Sequence, residues 1–231
     1  MPFLAGIVLL AATGSGAASA RTELVKPTQE LAALGRSHPA FAKPAAGSAR
    51  LGLVQARRPI TEIWTVLPVL GHATARDGGR WLHVRLPGRP NGRTGWITRR
   101  ATYLSRTSWH LVVHTSSRQV TVYRYGRRTR VFKAVVGKAS TPTPRGEYFV
   151  EESIKLPRDA VGAPFALALS ARSNVLQEFD GGPGQIALHG LNNVGGTPGT
   201  AVSHGCIRLD TSTMRWLVAR IGPGVPVTVT R

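Results

Sequence analysis

The stretch SHGCIRL, residues 203–209, holds the only cysteine of a chain of 231 residues. A single cysteine cannot form an internal disulfide, so Cys206 is not a cross-link of the fold. It is either a small buried hydrophobic side chain or a reactive thiol. Alternate side chains of an extended segment share a face, so we expect His204, Cys206 and Arg208 to line one surface.

A second histidine lies seventeen residues upstream, at the end of the segment QIALH. This segment is predicted to be a strand in which Ile186 and Leu188 point to the core and His189 shares the opposite face with Ala187. If the two segments are neighbours in a sheet, His189 can reach Cys206. A thiol is only a few per cent thiolate at neutral pH, so a nucleophilic cysteine needs such a base.

A catalytic histidine must itself be oriented by a third group on its other ring nitrogen. The carboxylates near either half of this arrangement are Asp180 and Asp210. The alternative is a backbone carbonyl, most simply that of Gly190. Gly205 lets the chain turn so that its own N–H and that of Cys206 face a developing oxyanion. Arg208 offers a guanidinium suited to a substrate carboxylate.

These segments together resemble the catalytic domain of the L,D-transpeptidase family, also called the YkuD type. The resemblance covers residues 109–231 and rests on IALHG, the glycine-rich gap after it, SHGCIRL, VVGKASTPTPRGEYFV and the terminal GPGVPVTV. It implies a mainly β fold, a β-sandwich with one short helix directly after the cysteine motif. It also implies an enzyme that cross-links bacterial peptidoglycan without a cofactor or a metal.

The resemblance also implies a role for each residue of the motif. Cys206 would be the nucleophile, His189 the general base and later acid, and the Gly190 carbonyl the orienting group. Ser203, His204 and Gly205 would shape the oxyanion site, with His204 in a supporting role rather than as the base, and Arg208 would bind a carboxylate of the donor. The partners implied are peptidoglycan stem peptides, and carbapenem-type inhibitors are expected to acylate the thiol.

In this family the donor is a tetrapeptide stem, cleaved after its diamino acid with release of D-alanine. A thioester forms on the cysteine, and an amine of a second stem resolves it.

Three alternative functions remain open. Water instead of an amine could hydrolyse the thioester, which would make the protein an L,D-carboxypeptidase or another exported cysteine peptidase. His189, His204 and Cys206 could bind zinc, although such ligands usually come in closely spaced pairs. The chain could also be a wall-binding adaptor without enzymatic activity.

Composition divides the remaining chain into segments. Residues 1–20 are uncharged and largely apolar and end in small residues, which is typical of a signal peptide, or of an anchor if it is not cleaved. Residues 21–50 are rich in Ala, Pro and Gly and predict a flexible spacer, with a short helix near residues 30–34. We therefore expect export to the periplasm or cell wall, at the periphery of the cell envelope.

Residues 51–106 contain short apolar runs separated by turns rich in Gly, Pro and Asn. They resemble a bacterial Src-homology-3-like module, on the basis of residues 81–86 and of Gly95, Trp96 and Ile97. The resemblance implies a small N-terminal β-barrel. In the second half, Gly126 is predicted to close a hairpin, and Asp210 to cap a helix that carries Met214, Leu217, Val218 and Ile221 on one face.

The net charge of +19, from 30 Lys and Arg against 11 Asp and Glu, predicts attraction to polyanions. The arginines are scattered over strands and loops, and no nucleic-acid-binding motif is visible. We therefore do not expect a nucleic-acid partner. The nearer polyanion of an exported protein is the cell envelope.

Overall fold

A computed structural model describes residues 25–178 and 181–231. The predicted signal segment, residues 1–20, and Asp180 lie outside the described residues. The described chain is mainly β, as the sequence predicts, and its strands form two large sheets and one small one. Within the described ranges no helix is long and apolar enough to span a bilayer.

The first sheet has seven strands in the order β3-β2-β6-β5-β4-β1-β7. Its core contains the buried side chains of Leu34, Leu67 and Leu82. The strands are β1 Gln29–Leu34, β2 His38–Phe41, β3 Arg50–Val54, β4 Val66–Thr74, β5 Arg80–Arg85, β6 Thr94–Thr98 and β7 Thr102–Thr107. The Src-homology-3-like character of residues 51–106 stays a prediction.

The predicted flexible spacer, residues 21–50, is wrong where the structure describes it, because β1 and β2 lie within it. The short helix expected near residues 30–34 is wrong for the same reason. The segment QELAAL favours a helix by its residue types, but it is hydrogen-bonded on both sides, to β4 and to β7. Pairing with two neighbours overrides a weak local preference. The first sheet therefore begins at Gln29 rather than at Leu51.

The second sheet has eight strands in the order β10-β9-β8-β17-β12-β13-β14-β16, and β11 and β15 form a separate parallel pair. Val135, just beyond β10, also exchanges two backbone hydrogen bonds with Arg208 in β16, which joins the two edges. The strands are β8 Trp109–His114, β9 Gln119–Arg124, β10 Arg127–Lys133, β11 Val136–Gly137, β12 Gly146–Lys155, β13 Phe165–Arg172, β14 Gln185–His189, β15 Ala201–Ser203, β16 Ile207–Arg208 and β17 Pro226–Thr230.

One helix, α1 Thr211–Val218, directly follows the cysteine motif. Asp210 caps it as predicted, because its carboxylate accepts hydrogen bonds from the backbone N–H and the hydroxyl of Thr213. Met214 and Leu217 are fully buried in the core of the second sheet. The helix therefore fixes the chain on the C-terminal side of the motif.

Buried charges join the two sheets. The Arg58 guanidinium contacts the carboxylates of Glu151 and Glu152, which belong to β12 and are each 1% exposed. Arg172 of β13 contacts Glu151 from the other side at 3.3 Å. Phe149, also of β12, is buried in the core of the first sheet. The first sheet is therefore packed against the strands that lead to the cysteine motif.

Candidate active site

The neighbouring strands β14 and β16 bring the histidine and the cysteine together. They run parallel, with Leu188 opposite Ile207 and His189 opposite Arg208. This register sets Cys206 beside Ala187, on the face that Ala187 shares with His189. The Cα atoms of Cys206 and His189 are then about 8 Å apart, from the strand spacing and the rise per residue. The predicted proximity of the two residues follows from this pairing.

The imidazole of His189 is oriented by a backbone carbonyl. Its Nδ1 lies 2.8 Å from the Gly190 oxygen. Since a carbonyl oxygen only accepts, Nδ1 must carry the hydrogen, and Nε2 of the neutral ring is left as the acceptor. Burial lowers the pKa of His189, although the bond to Gly190 opposes that effect and Arg208 adds to it. The ring is therefore held neutral and ready to accept a proton.

Gly162, in the loop between β12 and β13, packs directly on this ring. Its φ is +83°, and a Cβ there would lie 2.8 Å from the His189 Cγ and closer still to Nδ1. The Gly162 carbonyl also accepts the Gly190 N–H at 2.7 Å. Residue 162 must therefore lack a side chain if the ring is to keep its orientation. Sequence reasoning missed this residue, since nothing in VGAP indicates which side chain it faces.

The Cys206 thiol lies against the backbone of β14. Its Sγ is 3.9 Å from the Gln185 carbonyl oxygen. Burial raises the pKa of the Cys206 thiol, while the Ala187 N–H and the Arg208 guanidinium act in the opposite direction. With the thiol pKa raised and the imidazole pKa lowered, both groups are neutral at rest.

The motif is not one continuous extended segment, contrary to the expectation from its alternating side chains. The chain bends at residues 204 and 205, and Gly205 has a φ of +122°. Ser203 closes this bend, because its hydroxyl donates to the Cys206 carbonyl at 2.6 Å and accepts the Gly205 N–H at 3.1 Å. The expectation that the Gly205 N–H faces an oxyanion is therefore wrong here, since that N–H is already bonded to Ser203.

Two threonines of the loop TPTPRG, residues 141–146, hold the bend from the other side. The Thr143 hydroxyl donates to the Gly205 carbonyl at 2.8 Å and accepts the Gly137 N–H at 2.9 Å. The Thr141 hydroxyl donates to the Ser203 carbonyl at 3.2 Å. Both threonines are buried. The sequence indicates the irregular loop through its prolines and glycine, but not that its hydroxyls position the motif.

Arg208 is largely buried beside the histidine and the cysteine. One guanidinium nitrogen donates to the Gly195 carbonyl at 2.5 Å, within the glycine-rich segment that follows Gly190. The Nε atom is buried and has no hydrogen-bond partner. Burial lowers the pKa of Arg208, and the interaction with Cys206 raises it. The Arg208 charge therefore lowers the pKa of both His189 and Cys206, whether or not the guanidinium also binds a ligand.

The other predicted polar residues lie around this centre. His204 is exposed at the bend. Asp210 is used as the helix cap, with Ser212 as a further donor to its carboxylate, so it does not orient His189. Among residues 25–178 and 181–231, no three His, Cys, Asp or Glu side chains converge as metal ligands would.

The chain matches known proteins over its second half. The model of the YkuD family, described as the L,D-transpeptidase catalytic domain, matches residues 108–229. The protein named L,D-transpeptidase YkuD in Bacillus subtilis strain 168 is 28% identical over 123 residues, which cover 53% of this chain and 66% of that protein. Its namesake in Bacillus licheniformis is 29% identical over 122 residues, with the same coverage. The chain thus spans slightly less than two thirds of the length of both relatives.

Solved structures give a weaker likeness. An L,D-transpeptidase from Mycobacterium smegmatis is 19% identical, with a TM-score of 0.42, and the match covers 84% of this chain and 99% of that one. L,D-transpeptidase 3 from Mycobacterium tuberculosis, solved with a faropenem-derived adduct, is 15% identical with a TM-score of 0.43. That match covers 66% of this chain and 91% of the other.

Proposed function

Since the family model covers residues 108–229, this chain belongs to the YkuD family of L,D-transpeptidase catalytic domains, and we propose that it cross-links peptidoglycan stems through a thioester on Cys206. The observation that carries this proposal is the pairing of β14 with β16. It places the half-buried Cys206 on the same face of two adjacent strands as His189, whose Nδ1 is bonded to the Gly190 carbonyl. A nucleophile, a base and an orienting acceptor are what acyl transfer by cysteine needs.

In the first half of the reaction, Nε2 of His189 takes the thiol proton as Sγ attacks the carbonyl carbon between the diamino acid and D-alanine. Because thiol and imidazole are both neutral at rest, the proton moves as the bond to carbon forms. The carbon–nitrogen bond then breaks, His189 returns the proton to the leaving amine, and D-alanine departs. The acyl group remains on Cys206 as a thioester.

In the second half, an amine of another stem attacks the thioester carbon and loses a proton to His189. The carbon–sulfur bond breaks, and the proton returns to the sulfur. A new amide then joins two diamino acids, and the enzyme is regenerated without a cofactor or a metal.

The negative oxygen of each tetrahedral intermediate needs hydrogen-bond donors. The Gly205 N–H is bonded to Ser203, so we assign the role of donor to the N–H of Cys206, with His204 at the exposed side of the bend. Ser203 and Gly205 shape this donor by closing the bend. Arg208, whose Nε is buried without a partner, is suited to a carboxylate of the donor stem.

The alternative outcome, transfer to water, would make the protein an L,D-carboxypeptidase. It uses the same nucleophile, base and donor groups, so only the products distinguish the two reactions. We expect the enzyme to act outside the cytoplasm, in the periplasm or cell wall, where the stems are.

The test is product analysis by mass spectrometry after incubation with purified disaccharide-tetrapeptide. Cross-linked dimers with loss of D-alanine support the transferase, whereas trimmed tripeptide monomers alone support the hydrolase. The variant Cys206→Ala should give neither product. Activity retained in that variant would contradict the assignment of the nucleophile.

A further inference from the structure

The β9–β10 hairpin ends in a tip, residues 124–128. The residue types at this tip are not explained by a contribution to folding stability. Tyr125 and Gly126 form its two-residue turn, with φ of +51° and +72°. Turns with two positive φ values favour Asn, Asp and Gly, and a bulky residue there is strained. Tyr125 is also 59% exposed, so burial does not offset that strain. Strained residues of this kind often mark functional positions.

The tip is strongly cationic. Arg124 lies directly opposite Arg127 across the hairpin, and Arg128 follows. Like charges facing each other across two strands are destabilising. The stretch 78–146 contains 15 Lys and Arg and no Asp or Glu. Within the described residues, the cations of the ion pairs are Arg58, His72 and Arg172 only, so acidic side chains do not neutralise the tip.

Aromatic rings fix the position of one of these charges. The guanidinium carbon of Arg124 lies 5.1 Å from the centre of the Trp109 ring and 5.6 Å from that of Tyr125. Such cation–π contacts orient a guanidinium without neutralising it. The charge therefore stays available for an anionic ligand.

The tip also lies beside the point where the described chain begins. A Cβ on Gly126 would be 2.9 Å from the Val25 carbonyl oxygen and 3.5 Å from the Pro27 Cα. Only residues 21–24 separate Val25 from the apolar segment 1–20. Four residues span at most roughly 14 Å. Wherever that segment is embedded in a membrane, the tip is held close to the membrane surface.

We propose that the hairpin tip docks on an anionic lipid surface, with Arg124, Arg127 and Arg128 on lipid phosphates and Tyr125 among the headgroups. Arginine attracts anionic lipid, and tyrosine favours the interface between lipid and water. The exposed tyrosine and the nearby apolar segment favour a bilayer over a soluble polyanion. Strand β10 leads away from the tip to Val135, which pairs with Arg208. With the tip docked, the site around Cys206 would thus lie about 25 Å from the membrane surface, as the rise per residue of a β-strand gives for this length of chain.

The test is co-sedimentation of the full chain with vesicles of phosphatidylglycerol and phosphatidylcholine, and with vesicles of phosphatidylcholine alone. The double variant Arg127→Gln/Arg128→Gln should bind the anionic vesicles about 30-fold less tightly, from the usual contribution of each arginine. Binding to phosphatidylcholine alone, which reports the apolar segment, should not change. Tyr125→Ser should also weaken binding to the anionic vesicles.

The matched control is Arg50→Gln/Arg100→Gln, which removes the same charge from exposed positions in β3 and in the turn between β6 and β7. It should bind anionic vesicles as the unaltered chain does. An equal loss in the control would show that net charge, not the tip, is responsible, and would overturn the proposal. The proposal would also be overturned if the Arg127→Gln/Arg128→Gln variant bound anionic vesicles as tightly as the unaltered chain. The same holds if that double substitution weakened binding to DNA but not binding to vesicles.

Discussion

At the scale of single residues, the orientation of one imidazole ring is the decisive feature. Gly162 packs on His189 so closely that a methyl group at position 162 would overlap the ring. We therefore expect Gly162→Ala to lower the rate of acylation of Cys206 by roughly 10²-fold or more, the usual contribution of a well-placed general base. Stopped-flow measurement of acylation by a carbapenem checks this.

The matched control for that prediction is Gly78→Ala. Gly78 has nearly the same φ, +80°, but no atom lies within 4 Å of the position that a methyl group there would take. It carries the same backbone strain without the contact to His189. If both variants acylate at the same reduced rate, backbone strain rather than the position of the ring is the cause, and the role of Gly162 is refuted.

The thiol offers a second test at this scale, because burial raises the pKa of Cys206. Its alkylation by iodoacetamide should follow a titration whose midpoint lies above the ordinary thiol value of about 8.5. The protein unfolded in urea should show the ordinary midpoint. Intact mass reports this single site directly, since the chain has one cysteine. A folded midpoint below the ordinary value would mean a resting ion pair with His189, against the neutral pair inferred here.

At the scale of elements, the loop TPTPRG holds the bend of the cysteine motif. Thr143→Val removes both hydrogen bonds of that hydroxyl and leaves the Gly137 N–H and the Gly205 carbonyl without this partner. We expect a loss of about 1–3 kcal/mol in the free energy of unfolding, the cost of unpaired buried groups. Urea titration measures it. Thr143→Ser keeps the hydroxyl and should retain most of the free energy of unfolding that Thr143→Val loses. If Thr143→Ser is as unstable as Thr143→Val, the hydrogen bonds are not the cause of the loss.

The sequence predicts some of these elements well and others poorly, for physical reasons. Helix α1 is predictable because Asp210 and the spacing of Met214 and Leu217 are local signals. The approach of His189 to Cys206 is predictable from strand periodicity and the chemistry of thiols. Strand β1 is not, because both of its pairing partners, β4 and β7, are distant in sequence. A turn at Gly205 is predictable from the glycine itself, but the hydroxyls that hold it are not, because they come from another loop.

At the scale of the whole molecule, the first sheet is joined to the second through buried charges. Arg58 faces Glu151 and Glu152, and Gln185, at the start of the strand that carries His189, donates to Glu151 at 3.3 Å. We expect Arg58→Met to cost about 3–5 kcal/mol of unfolding free energy, because it leaves the buried Glu152 carboxylate without a cation and Glu151 with Arg172 alone. Equilibrium unfolding in urea measures the loss.

The control for this prediction is Arg57→Met. Arg57 is adjacent, and its guanidinium lies over the exposed Trp64 ring rather than on a buried carboxylate. It should change stability by less than about 1 kcal/mol, as exposed charges usually do. Equal effects of the two substitutions would show that the buried ion cluster does not hold the sheets together.

The central claim is that Cys206 is the nucleophile of an acyl transfer, and intact-protein mass after incubation with a carbapenem tests it most directly. We expect the mass to increase by that of one inhibitor molecule in the unaltered chain, and not to change in Cys206→Ala, which should still fold. An adduct of equal yield in Cys206→Ala, or a thiol that stays free in the unaltered chain, would contradict the account.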